Sequence, residues 1–189
     1  MANLSDTFSA GGGNNILEVL TGVADGRSVT TPSGTYTFGN VTNYQNMTTS
    51  YVDLTGSTMA YTPPAGATKV SYEYNFMFDC IGYSGISHFK LLVDNTEVIP
   101  AYKNVASNYY SSYHHGNFDT SIFYVFDLTA STDNASLGQF SSWSTNKTLK
   151  VQGREYDGSY QSAVHNNVYY SAVAVAQYVQ PILTITAYS

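Results

Sequence analysis

The chain has 189 residues and a net charge of −6, with a sequence pI near 4.9. Charged residues make up 11% of it, well below the roughly 25% of ordinary soluble domains, and 18 tyrosines stand among abundant Ser, Thr, Asn and Gly. The length fits one domain with a real core, and the absence of a basic run argues against nucleic-acid binding.

Residues 1–15 are polar and contain Gly11-Gly12-Gly13, so they read as an extended N-terminal arm. The opening MANLSDTFSA has neither the basic start nor the apolar run of a secretory leader. Leu4 and Phe8 are its candidate attachment anchors, because a few buried side chains dominate a small interface. Ile16–Leu20 is either one helical turn or a short strand. Ser28–Thr31 and Thr35–Phe38 flank Pro32-Ser33-Gly34 as a hairpin. Residues 40–50 are polar and read as loop.

Tyr51–Leu54 reads as a strand, with Gly56 marking a bulge before Met59 and Tyr61. Pro63-Pro64-Ala65-Gly66 is a turn. The clearest strand follows. Val70, Tyr72, Tyr74, Phe76 and Phe78 alternate with Ser71, Glu73, Asn75, Met77 and Asp79. Strict period two marks a strand with one buried face. The single cysteine, Cys80, excludes an internal disulfide and reads as a buried inert thiol.

His88–Val93 and Thr96–Ile99 form a hairpin about Asp94-Asn95, with Phe89, Leu91 and Val93 inward. Residues 101–117 read as a long exposed loop. Ser121–Leu128 is a strand with Ile122, Tyr124, Phe126 and Leu128 on one face. Residues 129–146 are a second loop region holding Phe140 and Trp143. Thr148–Arg154 places Leu149 and Val151 inward, and Asp157-Gly158 is a turn. Residues 161–177 hold one or two strands of open register, and Pro181–Tyr188 closes the chain as a strand.

These elements predict an all-β fold, a two-sheet antiparallel jelly-roll sandwich over residues 51–189. Residues 1–50 would precede it as an arm with short strands.

Four pieces carry a resemblance. They are Val52-Asp53-Leu54-Thr55-Gly56 with Tyr61-Thr62-Pro63-Pro64; Ala67-Thr68-Lys69-Val70; Leu92-Val93-Asp94-Asn95-Thr96-Glu97-Val98; and Thr148–Arg154 leading to Leu183-Thr184-Ile185-Thr186. In this order they resemble β-jelly-roll domains of tailed-bacteriophage virion proteins, marine phages especially. Those domains are similar to the trimeric jelly rolls of the tumour-necrosis-factor and complement globular-head superfamily. Leu20-Thr21-Gly22 and Asp25–Thr30 resemble the N-terminal stretch of small marine-phage structural proteins. The resemblance implies a homotrimer on the virion surface, made in the host cytoplasm and held by capsid or tail components. A capsid decoration or accessory tail-fibre protein fits the length, because no shaft repeat is present.

No Gly-x-Ser-x-Gly elbow occurs, and no pair of carboxylates is set apart by the sequence, so a non-enzymatic role is expected. His114-His115 with His88 or His165 makes a poor metal set, and neither cofactor nor metal is expected. No segment is long and apolar enough to insert in a membrane. Tyr109, Tyr110, Tyr113 and His114, then Tyr156 and Tyr160, then Tyr169 and Tyr170, sit among Ser, Asn and Gly. That composition suits a subunit interface or contact with a host surface glycan. A carbohydrate-binding, lectin-like module or fibre tip is therefore the alternative reading.

Overall fold

The computed structural model describes residues 15–81, 84–107, 116–167 and 178–189. Thirteen strands lie among them. They are β1 (Ile16–Val23), β2 (Ser28–Thr31), β3 (Gly34–Thr37), β4 (Gln45–Asn46), β5 (Val52–Asp53), β6 (Met59–Tyr61) and β7 (Lys69–Cys80). Then come β8 (Ser87–Val93), β9 (Thr96–Val105), β10 (Gly116–Asp127), β11 (Lys147–Glu155), β12 (Ser162–Val164) and β13 (Ile182–Tyr188). The one helical element among the described residues is a 3-10 turn at Ala135–Leu137.

β7 organises the first sheet. β10 pairs along its whole length, from Gly116 opposite Cys80 to Asp127 opposite Lys69. The other edge of β7 is shared: β13 covers Lys69–Asn75, and β12 covers the end from Phe78 to Cys80. β1 continues outward from β13, and β4 from β12. The second sheet runs β9-β8-β11, with β5 and β6 both on the far edge of β11. All pairings within these two sheets are antiparallel, and β2-β3 is a separate hairpin.

The alternation in β7 has the predicted consequence. Val70, Tyr72, Tyr74, Phe76 and Phe78 are all buried. They meet Phe89 and Leu91 of β8, Leu149 and Val151 of β11, and Leu183 and Ile185 of β13 in one cluster. Phe89 lies 5.2 Å from Phe76 and 5.9 Å from Phe78, ring centre to ring centre, so the two sheets share one core in a sandwich-like arrangement. Each such ring contributes roughly 1.5–3 kcal/mol by leaving water. The hydroxyls of Tyr72 and Tyr74 donate to the carbonyls of Ser57 and Thr55, both at 2.6 Å, so these rings bury without an orphaned donor.

The Asp94-Asn95 hairpin is present, with both residues at positive φ (47° and 66°) as a tight β-turn of that hand requires. Phe140 and Trp143 fold back onto Phe126 from the irregular segment, and the Trp143 indole donates to the Tyr61 carbonyl at 3.0 Å. Cys80 is buried, and burial pushes its thiol up, away from nucleophile chemistry.

The structure differs from the sequence reading in several places. The choice left open for Ile16–Leu20 falls to the strand, which is longer than the sequence suggested and runs on to Val23. Leu20, Tyr36, Phe38 and Met47 belong to the same buried cluster as β7, so residues 16–50 share the core of residues 51–189. Gln45–Asn46 inside the presumed loop pairs with β12. The parity change near Gly56 comes from a turn, not a one-residue bulge. Between Asp53 and Met59 the partner strand moves only from Gln152 to Leu149. Gly56 turns at φ +83°, and a Cβ there would lie 2.8 Å from that of Ala24. Residues 101–105, expected to be loop, belong to β9, and the strand expected from Ser121 already begins at Gly116; residues 108–115 of the expected loop lie outside the described residues. Pro100 concealed the length of β9. It sits on the edge strand, where a missing N–H breaks no ladder between neighbours, and the register slips around it: Val98 faces Leu91 and Lys103 faces Phe89.

His165 carries a pH dependence. It is buried at φ 65°, with Nε2 3.1 Å from the Thr55 carbonyl and 3.3 Å from the Tyr74 hydroxyl. Burial pushes its pKa down to about 4, against a smaller opposing pull from the Thr55 carbonyl. The unfolded chain takes up a proton near pH 6.5 that the fold refuses. Stability should therefore be fully present above pH 6.5 and fall as the pH drops toward 4, by up to about 3 kcal/mol at about 1.4 kcal/mol per unit. Urea midpoints at pH 7 and pH 4.5 for the parent and His165→Asn check this. The slope should shrink in the variant, and an equal slope in both would assign it to other groups.

Candidate functional site

Of the residues singled out in the sequence, Leu4, Phe8, Tyr109, Tyr110, Tyr113, His114, Tyr169 and Tyr170 lie outside the described residues. Tyr156 and Tyr160 lie within them, on the turn that leaves β11. Asp157 shapes that turn: its carboxylate accepts the Ser159 N–H at 2.7 Å, and its carbonyl accepts the Tyr160 N–H at 3.1 Å. The two rings meet edge to face, 5.7 Å apart, and Tyr156 is 61% exposed.

Tyr156 borders a pocket of about 240 Å³ that the sequence did not signal. Register builds it. On the outward side of the second sheet, Arg154 of β11 stands opposite His88 of β8, which stands opposite Asn104 of β9. Tyr51, just before β5, closes the row, and Glu155 forms part of the wall. The Tyr51 hydroxyl is 2.6 Å from His88 Nδ1. The Lys90 ammonium sits 3.7 Å from the Tyr51 ring centre and the Arg154 guanidinium 5.4 Å from it. Tyr102 packs edge-on against His88 at 5.1 Å.

The charges around the pocket are unequally matched. Glu97 accepts from both Lys90 and Tyr102, and these bonds, the Lys90 one above all, hold its carboxyl below the usual range. Asp53 is likewise matched, by Lys150 and Gln152. Burial lowers His88, and the cations Arg154 and Lys90 lower it further, while its Nδ1 shares a hydrogen bond with the Tyr51 hydroxyl. The ring leaves Nε2 for a further hydrogen bond, as donor or acceptor according to the tautomer. Burial raises the Glu155 carboxyl against the pull of the Ser162 N–H. Arg154 makes no hydrogen bond or ion pair with any described residue, and its Nε is buried without a partner.

A second surface lies on the outer side of the first sheet. Phe123 and Val125 of β10 stand opposite Glu73 and Ser71 of β7. Across β7, Thr184 and Thr186 of β13 continue the rows, and Val19 of β1 stands opposite Thr186. Phe123 is 55% exposed, Val19 46%, Ile182 45% and Val125 41%. Large apolar residues thus mark both margins of this face, and hydroxyl groups with Glu73 fill the strip between them.

No protein-family model matches the chain, and no curated protein matches it either.

Proposed function

We propose that the chain is a non-enzymatic jelly-roll subunit of a tailed-phage virion that assembles as a homotrimer through the outer face of β1, β13, β7 and β10. The strand order supports the jelly roll. One sheet reads β1-β13-β7-β10, and the other reads β5/β6-β11-β8-β9. The connections β6–β7, β7–β8, β9–β10 and β10–β11 pass from one sheet to the other while β8–β9 stays within one, an order compatible with a jelly roll. The sequence resemblance supplies the virion setting.

The apolar margins carry the assembly reading. In a ring each subunit offers two different surfaces, one to each neighbour. Phe123 and Val125 on β10 make one, and Val19 with Ile182 on β1 and β13 makes the other. The central rows hold Glu73 as their one charge among Ser71, Asn75, Thr184 and Thr186, while Lys69, Asp119 and Asp127 stand toward the two ends of the same face, so closing its centre desolvates few ions.

Substituting Phe123→Asp together with Val125→Asp tests the surface. Both side chains are exposed, so the fold should survive while light scattering shows the mass falling from three chains to one. A double variant that keeps the parent's multiple would place the contact elsewhere. Antibody against the chain should also decorate purified virions, and unlabelled particles would contradict the virion setting.

A further inference from the structure

We propose that the pocket between Tyr51, His88, Arg154 and Tyr156 binds a carboxylate-bearing sugar residue, with Arg154 as the anion anchor and Tyr156 as the ring platform. The pocket is on the sheet opposite the proposed trimer face, so this does not rest on self-association. It gives the glycan contact read from the tyrosines a place and a chemical class.

Arg154 is the strongest pointer. Four of the other cations pair with carboxylates, and Lys103 donates to the Ser121 carbonyl. Arg154 instead borders the pocket with its donors unengaged by any described residue. A planar guanidinium fork matches a carboxylate through two parallel hydrogen bonds, which an ammonium cannot reproduce. One unpaired cation fits a monoanion. The Glu155 wall would oppose a doubly charged phosphate more strongly.

The remaining lining suits a sugar ring. Tyr156 offers an exposed aromatic surface, steadied by the edge of Tyr160. Asn104 brings a donor and an acceptor, and His88 brings its second ring nitrogen, a set that matches adjacent hydroxyls. The volume, about 240 Å³, falls below the roughly 300 Å³ at the low end of drug-sized sites. It suits one sugar unit of a chain.

The test is calorimetric titration of the whole chain with oligogalacturonate, its neutral galactose counterpart and galactose 6-phosphate. Saturable binding of the uronate is expected, at least tenfold tighter than either control and weakened by salt. Arg154→Gln and Arg154→Lys should each lose at least tenfold, and Tyr156→Ala several-fold. The urea midpoint of Arg154→Gln should move little, because the side chain has no hydrogen-bond partner among the described residues and only the 5.4 Å contact with the Tyr51 ring to lose. No uronate binding, equal binding by Arg154→Gln, or tighter binding of the neutral or phosphorylated sugar would overturn the proposal.

Discussion

Replacing Tyr74 with Asp is expected to leave no folded protein. The Tyr74 ring is buried, stacked on Phe76 at 5.2 Å, with its hydroxyl on the Thr55 carbonyl. Aspartate removes the ring and brings a carboxylate into a site walled by Tyr72, Phe76 and His165. An unpaired buried charge costs several kcal/mol even after the group neutralises itself. Added to the lost aromatic burial, this approaches the about 5–15 kcal/mol that holds a domain together. Tyr74→Phe keeps the packing and loses the hydroxyl's bond to the Thr55 carbonyl and its longer contact with His165 Nε2, for about 1–2 kcal/mol. Near-ultraviolet circular dichroism and thermal unfolding separate the two. A cooperative transition of Tyr74→Asp near the parent's temperature would mean that β7 turns its other face to the core.

Glu18→Leu is expected to cost about 2–4 kcal/mol, the scale of leaving buried donors without an acceptor. Glu18 is buried on β1 and accepts three hydrogen bonds, from the Tyr61 hydroxyl at 2.7 Å, the Ser33 N–H at 2.8 Å and the Ser33 hydroxyl at 2.7 Å. It thereby ties β1 to the β2-β3 hairpin and to β6. Burial alone would raise this carboxyl, but the bonds from Ser33 and Tyr61 outweigh it and hold the pKa below its ordinary value. The stabilisation is therefore present above pH 4.5 and is lost as the pH falls through the folded-state value. Leucine leaves the donors of Tyr61 and Ser33 without an acceptor. Glu18→Gln restores most of the shape and should cost about 1–2 kcal/mol, the scale of a single hydrogen bond. Urea unfolding at pH 7 measures both. A Glu18→Leu variant within 0.5 kcal/mol of the parent, the scatter of ordinary surface substitutions, would show that the network is dispensable.

Legibility followed the length of the period. Ten alternating positions identified β7 and its inward face, and the short pattern about Asp94-Asn95 identified its hairpin, because each is a local property of the chain. Ile16–Leu20 was too short to distinguish a strand from a helical turn. β4 has two residues, and nothing in Gln45–Asn46 announces that β12 will pair with it. Pro100 hid the second half of β9. Nothing marked Glu18 in advance, because its inward direction, shared with Leu20 two residues on, follows only once Ile16–Val23 is known to be a strand. The pocket was illegible for the same reason. Arg154, His88, Asn104 and Tyr51 come from four separated stretches, and only the register of β11, β8 and β9 sets them in a row. Tyr156 was visible as part of a tyrosine-rich turn, but its neighbours were not.

Sedimentation equilibrium of the unaltered chain at neutral pH, over a range of micromolar concentrations, bears most directly on the assembly. A single species of three times 20.6 kDa is the predicted result. A species of 20.6 kDa at every concentration would contradict it, and would leave Phe123, Val125, Val19 and Ile182 as exposed side chains with no partner copy to cover them.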